Sequence, residues 1–581
     1  MPGHGNYDRH PVVALDGAHP LWTGEAVWTQ LAGLARATSS PLAVDCYPGV
    51  DVGAVRDALS AADPALVVVD VEAEAALSAK DLDELLADEL TDDRVFGVLS
   101  RRRIGAFFHP GELDRLRHQL ARTDRPTVVV GWGASLVVPA EAPVVLADLP
   151  RWEIQQRFRA GAGNWRAGNG EEDVLRKYKR GFFVEWRVAD EHKRPLLARC
   201  SHLLDTTTAT PKLVTGDTLR AGLEQAAARP FRLVPFFDPG PWGGTWMEEV
   251  CGLDPAPGGQ HYAWCFDGVP EENSLRLGLG AEHVEIPAID LVLRHPRELL
   301  GERTFARFGA EFPIRFDFLD TMAGGNLSLQ VHPTTDYIQR HFAMPYTQDE
   351  SYYLLDAEPG AQVYLGLRPG VGLEDVRAAL EEGQAGGEVD ADRLVNTFPA
   401  RPHDHFLIPA GTVHCSGAGS MVLEVSATPF IFTFKLWDWG RLGLDGRPRP
   451  IHLEHGLANI DVRRDTDWTR QNLVDQVEPV DAGDGWTEER TGLHELEFIE
   501  TRRHTFTAPV EHDTHGTVHV LNLVQGEAAV VESPDGDFDP FEVHYAETFI
   551  VPAAVGRYRI RGTGAGPWRT LRASVRDTER T

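Results

Sequence analysis

Short apolar runs alternate with segments of helical periodicity over roughly the first 225 residues. The runs PVVALDG (11–17), PLAVDCY (41–47), ALVVVDV (65–71), PTVVVGW (126–132) and APVVLAD (142–148) are β-rich and only a few residues long. Between them, DVGAVRDALSAA, DLDELLADEL and GELDRLRHQLART place apolar residues at i, i+3 and i+4. Strands alternating with helices predict a mostly parallel sheet covered on both faces. The segment GAGNWRAGNGE (161–171) is too glycine-rich for regular structure and reads as a mobile loop or lid.

After about residue 228 the pattern changes to short alternating strands with Gly/Pro turns. Helical inserts interrupt it near 286–300 and 372–394, and another helical stretch follows at IHLEHGLANID (451–461). The last 90 or so residues return to strands, GTVHVLNLVQGEAAVVE and HYAETFIVPAAVGRYRIRG. Many short strands with regular turns predict β jelly-roll units.

Composition narrows the function classes. The 581 residues carry 56 Lys+Arg against 87 Asp+Glu, a net charge of −31, which opposes binding to phosphate backbones and anionic membranes. No apolar run approaches the ~20 residues of a membrane span, and MPGHGNYDRH lacks a signal-peptide apolar core, so the expectation is a cytoplasmic protein. Five scattered cysteines without CxxC spacing exclude a disulfide framework and a thiolate zinc site. A metal would have to be held by His, carboxylate or amide oxygen. Only six lysines occur, and beyond Lys212 there is one, Lys435.

The chemistry concentrates in GGNLSLQVHPTTDYIQ (324–339), TQDESYYLLDAEPGAQVYLGL (347–367) and HFLIPAGTVHCSG (405–417). Gln330 and His332 are two apart on a strand and share a face. Glu350 opens another strand, and the PxGxxH turn aims His414 back toward them. Two imidazoles and two oxygen donors suit zinc, with iron, manganese and cobalt as alternatives. His403, His405, His452 and His455 read as turn, supporting or surface residues.

QVHP, the Glu before YYLLDAEPGA, and IPAGTVH resemble the zinc motifs of class I mannose-6-phosphate isomerase, a cupin-type aldose–ketose isomerase, in its short bacterial form. PFFDPGPWGGTWMEEVCGL (235–253) resembles that family's opening strand with a Trp-Gly-Gly loop. FKLWDWGRLGLDGRPRPIHLEHGLANI resembles its (Y/W)D(W/Y)-x-R…RP-hydrophobic-H signature. The resemblance spans roughly residues 230–581. It implies one Zn2+ per chain on Gln330, His332, Glu350 and His414, and a substrate contact at Arg441. The implied reaction interconverts mannose 6-phosphate and fructose 6-phosphate by proton transfer through an enediolate. Glu424 resembles the carboxylate on the strand after the last ligand and is the candidate base. Lys435, three residues before Asp438, is the candidate pocket cation. One departure stands out: the family carries Lys two residues before the ligand Glu, and here that position is Gln348.

The fold class expected is therefore multidomain: an α/β domain over 1–228, a metal-binding cupin with helical inserts over 229–465, and a second cupin over 466–581. The last is expected to be metal-free, because PAAVGRY (552–558) lacks the ligand His and His519 lacks a QxH partner. In the first domain, VVALDGAHPLWTGEA (12–26) places a glycine loop between strand and helix, but Glu25 stands where a phosphate-binding loop needs Lys. VDCYPGVD (44–51) and RWEIQQRFRAGAG (151–163) resemble the acidic strand end and lid of uridine-kinase-like P-loop folds, here degenerate. The partner expected is a small-molecule sugar phosphate, with no nucleic acid and no membrane; nothing in the pattern sets an oligomeric state. The alternative reading is a non-catalytic sugar- or sugar-phosphate-binding regulatory protein with a kinase-like sensor domain.

Overall fold

A computed structural model of the chain describes residues 6–385, 387, 389–427, 432–443, 446, 449, 451–492 and 494–576. It divides into two compact units: an α/β unit of residues 12–226 with 274–295, and a β unit of residues 1–11, 227–273 and 296–581. This grouping differs from single breaks at 228/229 and 465/466. The segment 274–295 goes with the α/β unit because strands Ser274–Leu279 and Glu282–Pro287 form a three-stranded sheet with Val13–Ala14. The two β regions expected as separate domains fall into one unit.

In the α/β unit, seven strands lie in the order Val67–Asp70, Thr127–Gly131, Leu42–Cys46, Val144–Asp148, His202–Asp205, Lys212–Thr215, Leu21–Thr23. The first five run parallel and the last two pair antiparallel. Every residue of Leu42–Cys46, Thr127–Gly131 and Val144–Asp148 is buried, which is why these stretches are mostly apolar rather than alternating, with Asp45, Thr127 and Asp148 as buried exceptions. Capping sets the helix starts: Asp51 accepts from Ala54 N–H before Val52–Ala62, and Ser78 accepts from Asp81 N–H before Ala79–Leu90.

Two expectations change here. The run at 11–17 contributes only Val13–Ala14, which satisfies its backbone on Ser274–Leu279 instead of joining the seven-stranded sheet. Leu21–Thr23 is the edge strand, paired with the antiparallel Lys212–Thr215. Gly17 precedes it and Gly24 follows it, so neither lies between a central parallel strand and its helix, where a phosphate-binding loop sits. The glycine-rich stretch 161–171 is irregular yet pinned. Asn164 and Trp165 are buried, and Lys177 Nζ donates to the carbonyls of Phe158, Ala162 and Gly170 at 2.6, 3.0 and 2.8 Å. Buried tethers of this kind do not describe a mobile lid.

In the β unit, a six-stranded antiparallel sheet runs His405–Ile408, Glu350–Ala357, Ser420–Ser426, Arg315–Asp320, His261–Gly268, Phe236–Gly240. A five-stranded sheet runs Val395–Pro399, Gln362–Leu367, His414–Ser416, Leu329–Val331, Phe434–Trp437. Nearer the C-terminus, sheets of six and four strands enclose a core that includes Phe506, Leu521, Phe549, Tyr558 and Ile560. All five cysteines are buried and free. Among the described residues, no helix is long and apolar enough to cross a membrane.

That C-terminal core also holds polar side chains that no motif announced. His504, His512 and His519 come from three strands and are all buried. His512 stacks on Tyr558, and His519 Nδ1 lies 2.8 Å from the Tyr558 hydroxyl. Burial first, then neighbouring Arg and His charges, hold His512 and His519 well below the ordinary imidazole range. Burial also lowers His504, although Glu488 opposes it. Arg502, Arg572 and His515 are the other charged groups facing the cluster. Groups depressed in the fold resist protons that the unfolded chain accepts, so their effect is absent well above pH ~6.5 and destabilises the fold as pH falls below it. Between pH 6.5 and 5, denaturant melts of the chain should lose on the order of 2 kcal/mol per fully depressed histidine. The His519→Asn chain should lose correspondingly less over the same interval; equal losses would remove His519 from the effect.

Candidate metal centre

The two central sheets of the β unit each contribute a row of side chains. Antiparallel register sets Lys435, Gln330, His414 and Leu365 side by side across the five-stranded sheet. Directly paired residues share a face, so Lys435 lies in the same row as two of the expected ligands. On the six-stranded sheet, Arg315, Ser426, Glu350 and Ile408 form one row, and Asp317, Glu424, Tyr352 and Phe406 form the next on the same face.

Glu350 and His414 of these rows meet His332, which lies one residue past the end of strand Leu329–Val331 rather than on it with Gln330. All three are fully buried, with ligand atoms within 4.8 Å of one another. His332 Nε2 is 3.1 Å from Glu350 Oε2, and His414 Nε2 is 2.7 Å from Glu350 Oε1. Gln330, also buried, brings its amide nitrogen to 3.2 Å from His414 Nε2. Donors on a tetrahedral ion at about 2.0–2.2 Å are separated by roughly 3.3–3.6 Å, and the 2.7 and 3.1 Å imidazole–carboxylate spacings lie a few tenths of an ångström or so inside that. Gln330 would ligate through its amide oxygen, not the nitrogen that faces His414.

Tautomers sharpen the point. His332 Nδ1 faces the Phe432 carbonyl at 2.9 Å and His414 Nδ1 the Thr412 carbonyl at 2.8 Å. A carbonyl only accepts, so both Nδ1 atoms carry hydrogen, and each neutral ring turns its Nε2 lone pair toward the Glu350 carboxylate. His332 Nε2 and Glu350 Oε1 are buried without a hydrogen-bond partner. Lone pairs facing a carboxylate in a dry site repel one another unless a proton or a cation lies between them. The pKa directions agree: burial pushes His332 down but the Glu350 charge lifts it overall, and burial pushes Glu350 up but both imidazoles bring it well below the usual range.

The remaining expected residues are placed differently. Glu424 is buried beside the cluster, 3.6 Å from Arg315 Nη2 and 3.5 Å from Gln348 Nε2. Burial, then Asp317 and Glu350, pushes it well above the ordinary carboxylate range. Gln348, at the position of the family's Lys, is buried and also donates to Glu350 Oε2 at 3.2 Å. A neutral amide therefore spans the two acids where a cation is usual in the family it resembles. Arg441 is not in the cluster; it donates to Asp438 Oδ1 at 2.7 Å and is partly exposed. Gly325 makes room for it, since a Cβ there would lie 3.1 Å from Arg441 Nη1. Asp438 is buried and shared with Ser328 and Arg449, which fits a structural anchor. The buried Trp242 and Trp246 fill the core. Much of the stretch 444–450 in the last quoted motif lies outside the described residues.

Tyr352 and Arg315 were not singled out from sequence. Tyr352 sits edge-on to His414, 5.8 Å between ring centres, and Arg315 holds Asp317 through both carboxylate oxygens at 3.0 Å. The available signal was period two: Tyr352 follows Glu350 by two residues, and Arg315 precedes Asp317 by two.

Residues 25–228 match the family described as "Domain of unknown function (DUF8485)". The chain is similar to "Probable mannose-6-phosphate isomerase GmuF" of Bacillus subtilis, 23% identical over 335 residues, covering 58% of this chain and 96% of that protein. It is also similar to "Mannose-6-phosphate isomerase" of Streptococcus mutans, 29% identical over 217 residues, 37% of this chain and 63% of that protein. Among solved structures, the mannose 6-phosphate isomerase from Bacillus subtilis aligns at 19% identity and a TM-score of 0.48, over 59% of this chain and 99% of that one. The named relatives support an isomerase.

Proposed function

We propose that the β unit is a zinc-dependent, cupin-type aldose–ketose isomerase acting on a sugar phosphate, with mannose 6-phosphate and fructose 6-phosphate as the pair interconverted. The observation that carries this reading is the dry His332–Glu350–His414 cluster with its unpartnered lone pairs. Gln330, His332, Glu350 and His414 would hold the ion. When bound, it supplies a positive centre that polarises the substrate's neighbouring carbonyl and hydroxyl oxygens.

The chain's own groups would do the rest. Glu424 would move the proton between C2 and C1; burial beside Asp317 and Glu350 raises its pKa above the ordinary carboxylate range, which makes it a stronger base than an exposed carboxylate. Arg315 limits that rise and holds the carboxylate in place. Lys435, in the row with Gln330 and His414, would meet the anionic end of the substrate, and Arg441 would contact the substrate at the rim. A net charge of −31 is no obstacle when the cations that matter line the pocket.

The deciding experiment is coupled turnover of mannose 6-phosphate after chelation and after zinc is restored. Activity should vanish and return. Absent turnover, with metal bound and the fold intact, would instead favour the non-catalytic binder. The amide at Gln348 makes a second expectation: Gln348→Lys should lower KM for mannose 6-phosphate by about tenfold, roughly 1.4 kcal/mol, by adding a cation beside Glu350 and Glu424. Steady-state KM for the two chains checks it, and an unchanged KM would place the phosphate elsewhere.

A further inference from the structure

The α/β unit has a cleft of about 600 Å³ that the isomerase reading does not use. It opens at the carboxyl ends of parallel strands. Residues 47–51 follow Leu42–Cys46, Glu72 follows Val67–Asp70, helix Arg151–Arg159 follows Val144–Asp148, and Thr206 follows His202–Asp205. From the central strand Leu42–Cys46 the chain winds out to one side of the sheet, then crosses to the other for Val144–Asp148 and His202–Asp205. Crevices at such reversals are where open α/β sheets bind ligands.

The walls are closely packed. Trp165 packs against Trp132 at 4.8 Å and 83° and against Phe107 and Phe108. Tyr47 is held by a 2.9 Å bond from its hydroxyl to Asp190 and by Lys193 above its ring at 4.5 Å. Gly49 has φ 114°, and a Cβ there would lie 2.8 Å from Ile154, so the loop is pressed onto its neighbouring helix. Trp28 and Phe158 add two more aromatic surfaces.

The cleft's charged groups, Asp51, Glu72, Arg157 and Arg166, are paired within its wall rather than offered to an anion. Arg157 is committed to the wall, donating to Gly49 O at 2.9 Å and Thr206 O at 2.6 Å and pairing with Glu153. The N-terminus of helix Val52–Ala62 reaches the cleft, but Asp51 occupies it by accepting from Ala54 N–H. Glu72 is the other lining carboxylate; it accepts from Trp132 N–H at 2.7 Å, and burial pushes its pKa up to about 7. Arg166, the other lining cation, lies close enough to Glu72 to lower its carboxyl pKa, so it is opposed by that group, and the helix end is taken by Asp51 rather than offered to a phosphate. Aromatic faces suit the C–H faces of a sugar ring, and carboxyl and threonine oxygens suit its hydroxyls.

We propose that this cleft binds a free, unphosphorylated sugar, a ligand distinct from the phosphosugar proposed for the β unit. The test is calorimetric titration of the full-length His414→Ala chain, which removes a proposed metal ligand in the β unit, with mannose, fructose and glucose, their 6-phosphates and ATP. The expected result is saturable binding of one free hexose, with the phosphorylated form binding at least about tenfold more weakly. Trp28→Ala and the volume-conserving Glu72→Gln should each weaken the free hexose by about tenfold or more. Both substituted chains are to be checked for an unchanged melting transition. The proposal is overturned by an absence of saturable heat for all three free sugars, by binding that survives both substitutions, or by tighter binding of a 6-phosphate or ATP that Trp28→Ala weakens. Phosphosugar heat that Trp28→Ala leaves unchanged belongs to the β unit and is subtracted.

Discussion

Replacing His414 with Ala is expected to reduce bound zinc from about one per chain to background and to lower isomerase turnover by at least about a thousandfold. The size follows from the geometry. His414 Nε2 is the group nearest Glu350, at 2.7 Å, and it also meets the Gln330 amide, so its removal opens one side of the cluster. A metal that binds only the folded chain raises stability by about 2.7 kcal/mol at a hundredfold excess over Kd. Chelation should therefore lower the melting temperature of the wild type and leave that of His414→Ala unmoved. Because the two compact units have separate cores, helical circular dichroism from the α/β unit should be retained. Metal analysis, turnover and melts with and without chelator check the three parts together. A His414→Ala chain that keeps stoichiometric zinc and full turnover would remove His332–Glu350–His414 from the chemistry.

The second large effect is expected at Glu424. Glu424→Gln keeps the shape and the contacts to Arg315 and Gln348 but cannot take a proton, so turnover should fall by about 10²–10⁴-fold with zinc content unchanged. The pH dependence supplies the sign. Burial, Asp317 and Glu350 raise the Glu424 pKa, and a base works only when deprotonated. The wild-type rate should therefore fall as pH drops through that raised range, at a higher pH than an ordinary carboxylate would give. Glu424→Gln should lose this limb of the profile along with the rate. If the variant retains the wild-type limb, another group is the base and Glu424 only positions Arg315.

Some of this was open to reading in one dimension. Strands 42–46, 127–131 and 144–148 are legible because a doubly covered parallel strand has no polar face, so their burial is written as mostly apolar runs without alternation. Helix starts at Val52 and Ala79 follow from Asp51 and Ser78, whose caps are local. Gln330, His332, Glu350 and His414 could be named because strand alternation and a Pro-x-Gly corner are local geometry too.

What the chain alone could not express is where one surface meets another. Val13–Ala14 looks like its neighbouring strands yet pairs with a segment more than 250 residues away, because backbone pairing carries no sequence label. The three buried histidines of the C-terminal core come from separate strands with no shared motif, and only the packing of the sheets makes them neighbours. The aromatic cleft of the α/β unit is likewise assembled from loops that follow different strands. At the candidate metal centre the division is plainest. Spacing determined which residue types could be ligands and which face each strand would present. Only the meeting of two sheets brought Glu350 from one against Gln330 and His414 from the other, with His332 just past the strand end, and turned both imidazole lone pairs toward its carboxylate. That contact is long-range, and its chemistry exists only once water is excluded from between the sheets.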